Sequence, residues 1–467
     1  MECRPLTRLI VISNRVQAPT AEQPGAQGGL AVALTAALRE TNGIWFGWSG
    51  EAGETEAPRF VTYDGVTSAT VDLPEQDVEE YYDGYANRTL WPLFHYRLDL
   101  TEFERDFQGG YERVNQMFGD VIGPHIQPDD LVWVHDYHMI PLGWMLRRQG
   151  LENRIGFFLH IPWPPTKLLT ALPHHRRLVD ALFAYDVIGF QTREWLETFH
   201  DYVIHEMNGE VGPDGAVTVG ARTIRAIACP IGIDAQDFVA SRDSAEAVAT
   251  HARMVESSIG RSLIVGVDRL DYSKGLEERF SGYQRYLETR PGAHAHVYLL
   301  QIAPPSRASV QSYQDIRAQL DALSGRINGA FADIDWVPLR YVNHGYPRAV
   351  LAGIYRAARV GLVTPLRDGM NLVAKEYVAA QDAKNPGVLI LSRFAGAAAQ
   401  LDGALLINPY SADDIADALE RALAMPLDER IARWQPMYDN VIREDVTWWR
   451  RRFTDALKQA PAGGSFL

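Results

Sequence analysis

Two cysteines in 467 residues, Cys3 and Cys229, leave no disulfide framework and no metal-ligand spacing, which points to a reducing compartment. No apolar run approaches the ~20 residues of a membrane span. The N-terminal MECRPLTRLIVISNR has too short an apolar centre for a secretion signal and reads as a first strand, so the chain is expected in the cytoplasm. Basic charge is also in deficit. Lys and Arg number 45 against 59 Asp and Glu, a net charge of −14, whereas nucleic-acid binders carry a basic field. The glycines of a P-loop are missing around Lys274-Gly275, and no strand runs into G-x-G-x-x-G, which argues against a dinucleotide oxidoreductase. Solenoid-period repeats and low-complexity tracts are absent as well.

What the chain does have is length and alternation. Its 467 residues exceed what one core usually serves, so two domains are expected. Short β-branched or aromatic runs recur between helical stretches: RLIVIS (8–13), LVWVHD (131–136), IGFFLHI (155–161) and DVIGFQ (186–191), then SLIVGVD (262–268), HVYLLQIA (296–303), VGLVTPL (360–366) and GVLILS (387–392). Continuous apolar strands alternating with helices indicate parallel sheets covered on both faces. The fold class expected is α/β, two doubly wound Rossmann-like domains, with CPIGIDAQDF (229–238) as the crossing between them.

Doubly wound sheets bind ligands beyond the carboxyl ends of their strands. Arg15, Asp136, His160, Arg269 and Asp368 each follow an apolar run closely. In RDGMNLVAKE (367–376) a strand turns into a helix that begins near Met370 or Asn371, and a helix N-terminus suits a phosphate or diphosphate. Glu376 and Asp368 could accept hydrogen bonds from sugar hydroxyls there; a solvated helix face is the plainer alternative. VDRLDYSKGLEERF (267–280) brings Arg269 and Lys274 to a sheet edge, the makings of a two-cation clamp for a diphosphate. Asp333-Ile334-Asp335 follows NGAFA rather than an apolar strand and reads as a surface turn. His135 and His138 flank Asp136, but no third metal ligand accompanies them.

Taken in order, VISNR, GGLAVAL, WFGWSGE, EYYDGYANRTLWPLFHYR, VWVHDYHMIPL, FFLHIPWP, DRLDYSKGLEERF, TPLRDGMNLVAKEYVAAQ and FAGAA resemble the trehalose-6-phosphate synthase family, retaining glucosyltransferases of the GT-B class, through nearly the whole chain. The resemblance implies two Rossmann-like domains facing across a cleft. It places an acceptor-binding domain at 1–235, a nucleotide-sugar-binding domain at 236–445, and a terminal helix at 446–467 returning to the first. It implies transfer of glucose from UDP-glucose to glucose 6-phosphate with retention, giving α,α-trehalose 6-phosphate and UDP. Donor contacts carried over by the resemblance are Gly28, Gly29, His160, Arg269, Lys274, Tyr346, Asp368 and the segment Leu372, Val373, Ala374, Lys375 and Glu376. Acceptor contacts are Arg15, Tyr82, Trp91, Asp136 and Arg307.

Retention invites a search for a carboxylate nucleophile, and none is assignable. The resemblance implies instead front-face attack through an oxocarbenium-like state, with the acceptor hydroxyl giving its proton to a leaving phosphate oxygen. Arg269, Lys274, Asp136 and His160 are the expected catalytic set, His160 as a contact rather than a base. No cofactor and no metal are expected, nor a nucleic-acid or membrane partner, while a homo-oligomer stays open. The sequence departs from the family at Gln400, where a carboxylate is common, and around Tyr346, where the base is contacted. The rival readings are a sister synthase with another acceptor, such as glycerol 3-phosphate, and a silent sugar-phosphate sensor.

Overall fold

The computed structural model describes residues 7–17, 34–35, 38–54, 57–290, 292, 296–307 and 310–461. Two compact units emerge: Met1–Ile231 with Thr447–Leu467, and Gly232–Val446.

In the first unit the strands are β1 (Leu9–Arg15), β2 (Ile44–Ala52), β3 (Arg59–Tyr63), β4 (Val66–Leu73), β5 (Leu131–His135), β6 (Ile155–Leu159), β7 (Val187–Phe190), β8 (Glu210–Val211), β9 (Ala216–Val219) and β10 (Arg222–Ala228). They form one sheet in the order β3-β4-β2-β1-β5-β6-β7-β10-β9-β8. From β4 through β10 in that order the pairs are parallel. Antiparallel hairpin strands finish both edges. Every residue of β5 and β6 is buried, as parallel strands covered on both faces require. The edge strand β3 is exposed at all five positions. From β1 the chain winds outward through β2 and β4, and from β5 it winds the other way. The order therefore reverses between β1 and β5.

The second unit holds β11 (Ser262–Val267), β12 (Val297–Ile302), β13 (Leu339–Val342), β14 (Val360–Val363), β15 (Val388–Ser392) and β16 (Leu405–Ile407). Its order is β13-β12-β11-β14-β15-β16, parallel throughout, with the reversal between β11 and β14. This is the 3-2-1-4-5-6 winding in which ligands bind at the reversal.

A fully buried guanidinium braces that point. Arg279 donates to Asp268 Oδ2 at 2.7 Å, Gln301 Oε1 at 2.8 Å and Thr364 Oγ1 at 3.0 Å, tying the ends of β11, β12 and β14 together. The helix Leu276–Thr289 that carries Arg279 starts at Gly275, whose φ is +61° and whose missing Cβ makes room for the Thr364 carbonyl. In the first unit the C-terminal helix Val446–Gln459 packs Trp449 and Phe453 on Trp133, with ring centroids 4.9 and 4.6 Å away. Trp449 and Phe453 of that helix are thus packing residues. No helix among the described residues is long and apolar enough to cross a membrane.

Candidate active site

At the reversal of the second sheet, β14 runs out through TPLRDGM into the helix Leu372–Ala380. Asn371 caps it. Its φ of +77° is a conformation asparagine tolerates better than most residues, and its Oδ1 accepts the Ala374 N–H at 3.2 Å. The same side chain donates through Nδ2 to Asp368 Oδ2 at 3.2 Å. Lys274 Nζ, from the short turn after β11, donates to that oxygen at 2.5 Å. Ammonium, carboxylate and amide therefore meet beside the helix start, where the Leu372 and Val373 N–H groups have no partner within the helix. Arg269 is exposed and makes no hydrogen bond or ion pair among the described residues.

Glu376, half-buried one turn further in, has its carboxyl pushed up to about 7 by burial, against the opposing charge of Arg348. Lys375 is turned the other way. Its ammonium is fully buried, donates to Gln400 Oε1 at 2.8 Å, and is pulled down to about 7 by desolvation. Gln400 in turn donates to Glu444 at 2.6 Å. Lys375 thus has only its backbone at the helix start. Tyr346 lies 4.7 Å from the His344 ring and lines a cavity of about 310 Å³ with Arg253, Arg340 and Ile302. Arg307, at φ +47°, has its guanidinium on Asp271 at 3.2 Å and on the Tyr313 hydroxyl. Asp271 is fully buried.

A second cluster fills the reversal of the first sheet. Arg15 ends β1, its guanidinium carbon 5.7 Å from the Trp48 ring. It lies against Gly50, at φ +95°, where a Cβ would run into the guanidinium. Tyr82 packs edge-on against Trp48 at 5.3 Å and stacks on His138 at 6.2 Å. Tyr82 comes from a π-helix, Val78–Leu90, a rare geometry that is frequent at functional sites. Trp91 follows directly, 4.1 Å from His95 and 5.7 Å from Tyr137. Asp136, between β5 and Tyr137, has φ +74° and accepts the His160 main-chain N–H at 3.1 Å. Arg15 and Tyr82 thus share Trp48, Asp136 and His160 share a hydrogen bond, and Trp91 adjoins the residue after Asp136.

The His160 ring is held at both nitrogens. Gln191 Nε2 lies 3.2 Å from Nδ1, and His135 Nδ1 lies 3.0 Å from Nε2. Burial pulls His160 down to about 3, and carries His135 well below its ordinary value too. A ring kept neutral with both nitrogens engaged is no general base near neutrality.

Chemically, the cluster of the first sheet offers aromatic faces, a guanidinium and an oriented carboxylate, a set suited to a phosphorylated pyranose. The cluster of the second sheet offers cations and a helix N-terminus, suited to a diphosphate, with carboxylates for hydroxyls beside it. Among the described residues no group of three His, Cys, Asp or Glu side chains is placed to hold a metal ion. Gly28 and Gly29 lie outside the described residues. Asp333 and Asp335 belong to an exposed turn closed by an Asp333–Trp336 bridge, with Ile334 fully exposed.

A family model, glycosyltransferase family 20, matches residues 7–459. The chain belongs to that family. Trehalose-6-phosphate synthases of Sinorhizobium fredii and Cronobacter sakazakii are 49% and 48% identical to it, each over 97% of this chain, covering 98% and 96% of the relatives. A UDP-forming α,α-trehalose-phosphate synthase from Burkholderia xenovorans, solved with glucose 6-phosphate, superposes with a TM-score of 0.92 at 49% identity, over 97% of this chain and all of the other. The E. coli protein bound with UDP-2-fluoro glucose gives 0.94 at 45% identity, over 98% of this chain and 100% of the other. Family membership makes the chain a glycosyltransferase with the GT-B architecture of two Rossmann-like units.

Several residues of both clusters escape a reading of the sequence. Asn371 is visible as a helix cap, but its amide contact with Asp368 depends on its left-handed backbone. Gln191 directly follows β7, so the rule that singled out Arg15 and Asp136 selects it too. Tyr81, whose hydroxyl donates to Asn14 Oδ1 at 2.7 Å, lies on the π-helix, and no apolar periodicity signals that element.

Proposed function

We propose that the chain transfers the glucosyl unit of UDP-glucose to glucose 6-phosphate with retention, forming α,α-trehalose 6-phosphate and UDP. The observation that carries the proposal is that each unit has a cluster at the reversal of its own parallel sheet, one fitted to a sugar phosphate and the other to a nucleotide diphosphate sugar. Relatives nearly half identical over the full chain carry that activity in their names.

In this reading unit Gly232–Val446 takes the donor. Arg269 and Lys274, with the N-terminus of Leu372–Ala380, hold the diphosphate and stabilise the charge that grows on it as the glycosidic bond breaks. Asp368 holds hydroxyls of the transferred glucose, with Lys274 and Asn371 fixing the oxygen that is already engaged. Glu376 accepts from the ribose and Tyr346 contacts the base. Gly28 and Gly29 are assigned to the donor by the resemblance alone. The first unit takes the acceptor. Arg15 meets the 6-phosphate, Tyr82 and Trp91 cover the sugar, and Asp136 orients the attacking hydroxyl. Arg307 is assigned to the acceptor phosphate by the resemblance. The hydroxyl attacks on the face the diphosphate leaves, and its proton passes to a leaving phosphate oxygen.

Two cations and a helix dipole supply the charge stabilisation that a divalent ion gives other glycosyltransferases, so turnover is expected to be metal-independent. UDP release in the presence of glucose 6-phosphate, glycerol 3-phosphate or no acceptor tests the proposal. Release dependent on glucose 6-phosphate supports it. Release with glycerol 3-phosphate alone would assign a sister synthase, and nucleotide binding without turnover would assign a sensor.

A further inference from the structure

Gln191 is buried, 1% exposed, and is assigned to neither substrate, yet it stands at the head of a directional hydrogen-bond chain. The Ile231 main-chain N–H donates to Gln191 Oε1 at 2.9 Å. That contact fixes the amide, because the oxygen must face Ile231 and the NH₂ must therefore face His160. Nδ1 of His160, 3.2 Å from the NH₂, is then the acceptor and carries no proton. The ring proton sits on Nε2 and is donated to His135 Nδ1 at 3.0 Å. His135 is left as its own Nε2–H tautomer, fully buried, with the Trp133 ring 4.5 Å away. At the other end, the His160 main-chain N–H donates to Asp136 Oδ1. Every member of the chain belongs to the unit that begins at Met1.

We infer that Gln191 is a positioning residue for glycosyl transfer: by fixing the His160 imidazole as a neutral Nε2–H tautomer it holds the main-chain donor that orients the Asp136 carboxylate. The inference rests on the proposed role of Asp136 in the transfer. The groups that face the His160 ring are His135, Gln191 and the rings of Phe158 and Trp449, with centroids 4.7 and 5.9 Å away for the last two. None of the four is ionised at neutral pH, since His135 is held neutral by burial. A protonated imidazolium would turn Nδ1–H toward the Gln191 NH₂, donor against donor. The chain thus keeps a histidine beside the reacting sugar from titrating.

Gln191→Glu inverts the polarity of one link and preserves the shape. One carboxylate oxygen still accepts from Ile231, while the other calls for a proton on Nδ1. In full-length enzyme labelled with ring-¹⁵N histidine, the parent should show His160 neutral and protonated at Nε2 throughout neutral pH. In the Glu variant the ring should carry a proton on Nδ1, and kcat should acquire a titration that the parent lacks. Gln191→Ala should lower kcat by on the order of 10- to 100-fold, through a misplaced carboxylate. A cooperative calorimetric melt in both variants, like the parent's, shows that the unit carrying Gln191 folds. A parent ring that is protonated on Nδ1, or that titrates near neutrality, overturns the inference without any variant. So does a folded Gln191→Glu enzyme with the parent's tautomer and pH profile. The ring spectra do not depend on turnover, so absence of trehalose 6-phosphate synthesis would defeat the proposed function separately.

Discussion

Arg269 and Lys274 are assigned to the same diphosphate, but they are held so differently that their removal should separate catalysis from stability. Arg269 is exposed and makes no hydrogen bond or ion pair among the described residues, so Arg269→Ala should leave stability within about 0.5 kcal/mol, as for other surface sites. Its effect should fall on turnover, by about 10²–10³-fold or 2.7–4 kcal/mol, the usual loss for one preorganised donor to developing charge. Lys274→Ala should lose comparable turnover and also stability. Lys274 and Asp368 are each 12% exposed, and removing the ammonium strands a largely buried carboxylate with the Asn371 amide still donating. The cost should be roughly 3 kcal/mol, the low end for breaking a buried ion pair. In a unit of this size that lowers melting by roughly 6–12 °C. Steady-state UDP release and calorimetric melting, on both variants, read the two quantities independently. Turnover within a few-fold of the parent in Arg269→Ala would refute the diphosphate clamp, and an unchanged melt in Lys274→Ala would refute the account of Asp368.

Other expectations follow from the same geometry. The Glu376 carboxyl is raised from an ordinary 4.5 to about 7, so the folded protein holds a proton there that the unfolded chain has lost. Its contribution to stability therefore falls as pH rises across that window. Donation from a ribose hydroxyl favours the ionised form, so UDP-glucose affinity should rise by roughly tenfold between about pH 6 and pH 8, with proton release. Calorimetry in buffers of different ionisation heat reads that release, and Glu376→Gln should abolish it. Arg279→Met should cost roughly 3–5 kcal/mol by leaving buried Asp268 without its guanidinium, measured as lost melting temperature. Excess chelator should leave turnover at its parent value; loss restored by a divalent ion would reassign the charge stabilisation.

How far the sequence announces all this depends on the element. β5, β6 and β15 are short, apolar and buried at every position, so their runs mark them within a residue or two. β13 buries only its first residue fully and β16 has three residues, leaving no continuous run to notice. The edge hairpin strand β3 is exposed throughout and reads as loop. The π-helix has neither a two-residue nor a 3.6-residue repeat to betray it, although it carries Tyr82 and leads into Trp91. Within the candidate site, residues that follow apolar strands were legible because doubly wound sheets place ligands there. What the sequence does not announce is which partner each one takes. Lys375 and Glu376 are adjacent letters, yet one ammonium is buried against Gln400 and the other side chain stays half-exposed beside Arg348. Arg307 is engaged with Asp271, thirty-six residues earlier in the chain, a pairing that only the folded unit brings about.

The central claim is glucosyl transfer with retention between two substrates held by two clusters. Its most direct test is NMR of the purified protein incubated with UDP-glucose, glucose 6-phosphate and chelator. The account predicts one UDP for each new non-reducing disaccharide phosphate, with both anomeric centres α in a 1,1 linkage. A β centre from the donor, a different linkage, or UDP formed with free glucose alone would contradict it.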